Sequence, residues 1–74
     1  MALYDEAVKL AKSYVGPVGQ QFIDRQLSAH LNVKPADLNP MSLPELSKWC
    51  FFSGRLLIGD KQAEEFKTKV MALK

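Results

Sequence analysis

The sequence predicts an all-α fold, a compact bundle of four short helices. Three observations lead to this prediction. Apolar residues recur at spacings of three and four along most of the chain, glycine and proline stand where these periodic segments meet, and no segment alternates apolar and polar residues as a strand does. With 74 residues the chain can enclose one hydrophobic core, so residues 1–74 are expected to form a single domain.

The first helix is predicted over residues 3–15. Acidic residues lie near its start and lysines near its end, which is the order that the helix dipole favours. The centre of its apolar side is expected to be formed by Leu3, Ala7, Leu10 and Tyr14. This side is widened by Tyr4, Val8, Ala11 and Val15.

The stretch "VGPVGQQF", residues 15–22, is predicted to be a corner between two helices. Gly16 suits the left-handed residue that ends a helix, and Pro17 suits the first turn of the next one. A phosphate-binding loop is the alternative, but a helix precedes the stretch instead of a strand, and neither a lysine nor a third glycine follows. Gly19, inside the first turn, is explained by another helix that packs closely across it.

The second helix is predicted from about Pro17 to Leu31. Its apolar side is expected to carry Val18, Phe22 and Ala29, with Ile23, Leu27 and His30 beside them. Residues 32–42 contain two prolines and two asparagines and are predicted to form a connector. The apolar side of this connector is expected to pack onto the core through Val33, Leu38 and Met41.

The third helix is predicted to begin at Ser42. Ser42 and Glu45 have the spacing of a capping box, and Pro44 falls in the first turn, where no amide donor is needed. This helix is expected to end at Gly59. Asp60 then caps a fourth helix that continues to about Leu73, with an apolar stripe of Ala63, Phe66, Val70 and Leu73.

Composition excludes several classes of protein. A single cysteine, Cys50, allows no internal disulfide and suits a reducing compartment. The chain starts without the basic and apolar regions of a signal peptide, and no apolar run approaches the roughly 20 residues of a membrane span. A cytoplasmic protein, or a domain of a larger cytoplasmic protein, is therefore expected.

No set of residues indicates an enzyme. His30 is the single histidine, so the chain lacks the ligands of a structural zinc site, and neither a metal nor a cofactor is predicted. Cys50 is expected to be a buried structural thiol rather than a nucleophile paired with a histidine. His30 is expected to be a partly exposed partner of a helix C-terminus rather than a catalytic group.

Two further classes stay open as alternatives. A small helical DNA-binding domain is disfavoured, because the net charge is only +2 and basic residues are mixed with acidic ones throughout the chain. A carrier of a small ligand or haem would use Met41, Met71 or His30 beside a cavity in the bundle.

The third helix is apolar on nearly all sides. One face is defined by Leu43, Leu46, Cys50 and Leu57, with Gly54 and Ile58 beside it. Such a helix is usually buried all round. The other interpretation is an exposed patch of Trp49, Phe52 and Leu56, rimmed by Lys48 and Arg55, which is typical of protein-binding hot spots. The predicted function is a non-catalytic protein–protein interaction or regulatory module that binds another protein, or a second copy of itself, through this patch.

The succession of "SYVGPVG", "DLNPMSLPEL" and "GDKQAEEF" resembles small helical modules attached to bacterial signalling and regulatory proteins. In those modules a Gly-Pro-Val or Gly-Pro-Ile turn follows the first helix. The resemblance covers most of the chain, and its residues belong chiefly to turns and core. It implies a non-catalytic accessory domain and assigns no site residue.

Overall fold

The computed structural model describes residues 3–73. Within this range the chain forms three α-helices, which are α1 (Leu3–Val15), α2 (Gly19–Gln26) and α3 (Leu43–Met71). Three 3-10 turns, Gly16–Val18, Pro35–Asp37 and Pro40–Ser42, and one π-helical turn, Leu27–Leu31, join them. No strand occurs in residues 3–73, so the all-α prediction is confirmed. The count of four separate helices is not confirmed in that form, because the third and fourth predicted helices lie within the single element α3.

A break at Gly59 divides α3 into a first arm, residues 43–58, and a second arm, residues 60–71. Gly59 has a φ of 85° and a ψ of 163°, a conformation that is essentially restricted to glycine. The two arms run side by side in opposite directions after this break. Arg55 Nε lies 3.1 Å from Asp60 Oδ1, and Lys67 Nζ lies 5.6 Å from the centre of the Phe51 ring. The predicted helix boundary at Gly59 is therefore the point where α3 folds back on itself.

The core lies between α1, α2 and the facing sides of the two arms. Phe66, Ile23 and Leu46 are among its largest fully buried side chains. The predicted stripe of the second arm is confirmed as buried at Ala63, Phe66 and Val70, while Leu73 is partly buried. The other buried apolar residues are Ala7, Ala11, Phe22, Leu27, Leu38, Leu43 and Cys50.

Two tyrosines of α1 fasten this helix to its neighbours. Tyr14 stacks on Phe66 with 5.1 Å between ring centres, and its hydroxyl donates a hydrogen bond of 2.8 Å to Glu65 Oε1. Tyr4 donates a hydrogen bond to Asp24 Oδ1 on α2. Burial and this hydrogen bond raise the pKa of Tyr4. Each tyrosine thus combines apolar packing with a polar bond to another element.

The corner between α1 and α2 has the predicted form. Gly16 has a φ of 81°, in the left-handed region expected for the residue that ends a helix. Gly19 packs directly against α1, since a Cβ atom there would stand 2.6 Å from the backbone nitrogen of Lys12. The close helix packing predicted at Gly19 is therefore confirmed.

Helix ends differ from the prediction in two places. The α-helical part of the second helix stops at Gln26, and the chain continues as the π-helical turn to Leu31, ended by Asn32 in the left-handed conformation. The capping box is wrong: Ser42 makes no capping bond, because the preceding 3-10 turn is held instead by Asn39 Oδ1, which accepts from Met41 N. Glu45 accepts from the indole of Trp49.

Three residues expected to pack on the core are exposed. Val18 and Ala29 lie on the solvent side, as does Met41, whose side chain is 91% exposed. Met41 lies in the turn Pro40–Ser42, and the connector contributes Leu38 to the core instead. Periodicity assumes a continuous α-helix, and at Val18, Ala29 and Met41 the chain forms 3-10 or π turns, which rotate side chains differently.

Candidate functional site

Four of the exposed large apolar residues lie near one another, on the first arm and on the turn before α2. Leu56 is 85% exposed, Leu57 63%, Val18 47% and Phe52 45%. Phe52 and Leu56 are one helical turn apart on the first arm, and Trp49 stands next to Phe52 with 6.0 Å between ring centres. We call Val18, Trp49, Phe52, Leu56 and Leu57 the apolar face. Large apolar side chains left in solvent side by side mark an interaction site more often than single ones do.

Four aromatic rings stand in a row at one end of the apolar face. His30 stacks on Trp49 with 3.9 Å between ring centres and an angle of 8° between the planes. Trp49 meets Phe52, and Phe52 meets the edge of Phe51 with 5.6 Å between ring centres. The indole nitrogen of Trp49 also donates a hydrogen bond of 3.2 Å to Glu45 Oε2. These contacts hold the rings in place before any partner arrives.

A shallow groove extends the apolar face towards α2. Phe22 and Leu57 line it together with Val18 at one end and with Leu56 at the other. Arg25 lines both ends and is exposed. The polar side chains beside the groove already have hydrogen-bond partners. Gln26 donates to the Phe22 carbonyl oxygen and accepts from Ser53 Oγ at 3.0 Å.

Cations surround the apolar face. Lys48 Nζ lies 5.4 Å from the centre of the Trp49 ring, and Arg55 lies 5.7 Å from the centre of the Phe51 ring. Arg55 also pairs with Asp60, whereas within residues 3–73 Arg25 and Lys48 have no carboxylate within 4.0 Å. We call Arg25, Lys48 and Arg55 the basic rim. The rim gives the edge of the apolar face a positive charge.

Cys50 and His30 are the two side chains that were considered as catalytic groups. Cys50 is fully buried, and this burial raises the pKa of its thiol to about 12. A thiol in that state is a poor nucleophile, as predicted for a structural cysteine. His30 is exposed but rests on Trp49. In the part of the chain that the structure describes, no three His, Cys, Asp or Glu residues stand close enough to hold a metal ion.

The structure exposes Phe52 and Leu56, so the interpretation of a helix buried all round is wrong. Lys48 lies beside Trp49 of the predicted patch, whereas Arg55 lies over Phe51, which was not part of that patch, and pairs with Asp60. Leu57 is a correction, because it was assigned to the core face with Leu46. A helical wheel gives the direction in which Leu57 points, but Leu57 is 63% exposed and lines the groove with Val18 and Phe22 instead of entering the core.

Sequence reasoning missed Val18, Arg25 and His30 as parts of this surface. Val18 and Arg25 come from α2 and its preceding turn, and His30 comes from the π-helical turn. Their proximity to the first arm depends on how the elements pack, for which no local sequence signal exists. The position of Leu57 two residues before Gly59 was the one available signal of its exposure.

Comparison of the chain with family models, with curated proteins and with solved structures finds no match. The resemblance to bacterial signalling modules therefore stays a prediction. None of the helices in residues 3–73 has both the length and the apolar character that crossing a membrane requires.

Proposed function

We propose that this chain is a non-catalytic, cytoplasmic protein-binding module that docks its partner on the apolar face. The observation that carries the proposal is the exposure of Leu56, Leu57 and Phe52 side by side on one arm of α3. In this proposal the two arms act as the third and fourth helices of a four-helix bundle, which supports the face from behind. A regulatory role within a larger signalling protein agrees with the same arrangement.

Burial of the apolar face contributes favourable free energy to binding. Covering an exposed leucine or phenylalanine side chain completely is worth about 1.5–3 kcal/mol. Leu56 and Leu57 retain most of their accessible surface in the free protein, so a partner gains nearly this full amount at both positions. Binding energy is commonly concentrated in a few such residues at the centre of an interface.

The aromatic row reduces the cost of binding. Trp49 is held by His30 on its face and by Glu45 on its indole nitrogen. A side chain that is already fixed loses little conformational entropy when a partner covers it. Trp49 and Phe52 are therefore expected to act as rigid anchors beside the more mobile leucines.

The alternative of a small DNA-binding domain draws less support. Its phosphate contacts would come from the lysines of the second arm. Lys69 Nζ lies 3.7 Å from Glu65 Oε1, and Lys67 lies over the Phe51 ring. Two of these lysines are thus engaged within the protein, and the acidic residues beside them oppose phosphate.

The test uses variants that introduce one negative charge at an exposed position. Peptides displayed in a random library are selected on the wild-type protein, and their affinity is then measured for Leu56→Asp, Leu57→Asp and Ser13→Asp. Ser13 is exposed on α1, where it lines a different groove with Tyr14, so it serves as the matched control. We expect the two leucine variants to lose at least about 90% of the affinity and the control to retain it.

Folding of each variant is checked by its thermal midpoint. Because Leu56 and Leu57 are exposed, we expect the midpoints of all three variants to stay close to that of the wild type. Selected peptides that bind Leu56→Asp and Leu57→Asp as tightly as the wild type would contradict the proposal. A large loss of stability in the leucine variants would contradict it as well, because it would show that these residues support the fold.

A further inference from the structure

We infer that the apolar face binds an acidic amphipathic helix of another protein, seated along the first arm with its apolar side in the groove and its carboxylates on the basic rim. This inference rests on the proposed function and specifies the chemistry of the partner. It follows from three properties. These are the positive charge of the basic rim, the spacing of Trp49 and Leu56 along the helix, and the repulsion that a second copy of the same face would meet.

The charge of the rim selects for carboxylates. Arg25 stands at the groove beside Leu56 and Leu57, and Lys48 stands beyond Trp49 at the opposite end of the face. Neither cation has a carboxylate within 4.0 Å among the described residues. Asp60 already pairs with Arg55, and Glu45 accepts a hydrogen bond from the Trp49 indole. A partner therefore finds free positive charge at both ends of the apolar face.

The spacing of the anchors suits a helix. Trp49 and Leu56 are seven residues apart, which on an α-helix is two turns, or about 10 Å. A docked helix that presents apolar residues at positions i, i+3 or i+4, and i+7 spans the same distance. The groove between the first arm and α2 gives its central residue a place between Leu57 and Phe22. Acidic residues on both flanks of such a helix then reach Arg25 and Lys48.

A second copy of this chain fits the face poorly. In a symmetric dimer the same patch meets itself, so the basic rim of one copy would lie against the basic rim of the other. Like charges placed opposite each other across an interface oppose its formation. Of the carboxylates beside these cations, Asp60 already pairs with Arg55 of its own copy, and Glu45 accepts from the Trp49 indole.

The experiment compares three synthetic amphipathic peptides of about 18 residues, long enough to form several helical turns. The first has leucines at i, i+4 and i+7 with glutamates on both flanks, the second replaces every glutamate with lysine, and the third keeps the composition of the first but scrambles the spacing of the leucines. Affinity for the wild-type protein is measured by the fluorescence of Trp49, the single tryptophan.

We expect the glutamate peptide to bind about tenfold more tightly than the lysine peptide at low salt, a difference that a few exposed ion pairs can supply. The difference should shrink in about 0.5 M salt, and the scrambled peptide should not bind. The double variant Arg25→Glu/Lys48→Glu reverses the charge at two positions of the basic rim and keeps all five residues of the apolar face. It should reverse the preference, so that the lysine peptide binds more tightly.

Several results would overturn the inference while the proposed function stands. The first is that the glutamate and lysine peptides bind equally tightly. The second is that library-selected peptides bind but the glutamate peptide does not. The third is that the wild-type protein forms a dimer, which Leu57→Asp dissociates. Binding of a single-stranded oligonucleotide that Leu57→Asp abolishes would overturn both. If neither the designed nor the selected peptides bind, the proposed function itself fails.

Discussion

Gly19 and Gly54 both lie inside helices, yet their surroundings are opposite. A Cβ atom on Gly19 would stand 2.6–2.9 Å from the backbone and side chain of Lys12, closer than atoms can approach. A Cβ atom on Gly54 would meet Phe22, Phe66 and Ala63 at 3.8–3.9 Å, which is ordinary contact. Glycine is therefore required at position 19 by the approach of α1, and at position 54 it is not.

This contrast predicts opposite effects of the same substitution. Gly19→Ala should destabilise the protein by about 1–3 kcal/mol, because α1 and α2 must move apart. Gly54→Ala should leave stability unchanged or raise it by up to about 1 kcal/mol, because alanine favours the helix. Urea unfolding of the two variants beside the wild type measures both changes. Equal destabilisation by both substitutions would show that the packing at α1 is not what selects Gly19.

Cys50 makes the stability of the fold depend on alkaline pH. Burial raises the pKa of its thiol from the ordinary 9.0 to about 12, so the folded protein keeps a proton that the unfolded chain releases. The stabilising contribution is therefore complete below about pH 9 and is lost as the pH rises from there towards 12.

We expect the free energy of unfolding of the wild type to fall as the pH rises above about 9 towards 12. In Cys50→Ala the fall should be smaller, although this variant starts from a lower stability because a buried sulfur is removed. The remaining fall is assigned to Tyr4 and Lys69, whose pKa values are also raised. Identical pH profiles of the two proteins would contradict a buried, neutral thiol.

At the scale of elements, Gly59 determines where α3 reverses its direction. The backbone of Gly59 reverses the chain, so that the second arm returns along the first and covers Gly54 with Ala63 and Phe66. Arg55 and Asp60 bridge the reversal with an exposed ion pair, which contributes little by comparison. The reversal is therefore located at Gly59, and the buried stripe of Ala63, Phe66 and Val70 packs the second arm against the core.

Gly59→Ala should destabilise the protein by about 1–3 kcal/mol, because an L side chain is strained at a φ of 85°. A Cβ atom there would touch nothing within 4 Å, so the loss comes from the backbone alone. The thermal midpoint measures it, with Asp60→Ala as a control for loss of the neighbouring ion pair. A midpoint of Gly59→Ala equal to that of the wild type would contradict the strained reversal.

Local sequence signals predicted where the helices run and failed mainly at their ends. Gly16 and Gly59 were predicted as helix boundaries, because few other residues tolerate the backbone found at these two positions. The capping box at Ser42 was wrong, since Asn39 competes with it by organising the turn before the helix. Which of two neighbouring polar residues takes this role depends on the path of the connector, and spacing alone does not determine that path.

At the scale of the whole molecule, the candidate site could be predicted in part. The apolar arc of Trp49, Phe52 and Leu56 was visible from the sequence because charged residues, Lys48 and Arg55, accompany it on the same side of the helix. The exposure of Leu57 and the contribution of Arg25 could not be predicted. They depend on where α2 ends relative to the first arm, which is a property of packing between distant segments.

The central claim is that the apolar face binds a partner protein. Trp49 reports on this directly, because it is the single tryptophan and lies at the edge of the face. The most direct measurement is an NMR titration of the wild-type protein with a library-selected peptide. We predict shifts of the Trp49 indole N–H and of the amides of Phe52, Leu56 and Leu57, with those of Ser13 unmoved. Shifts confined to α1 or to the second arm, with Trp49 unchanged, would contradict the claim.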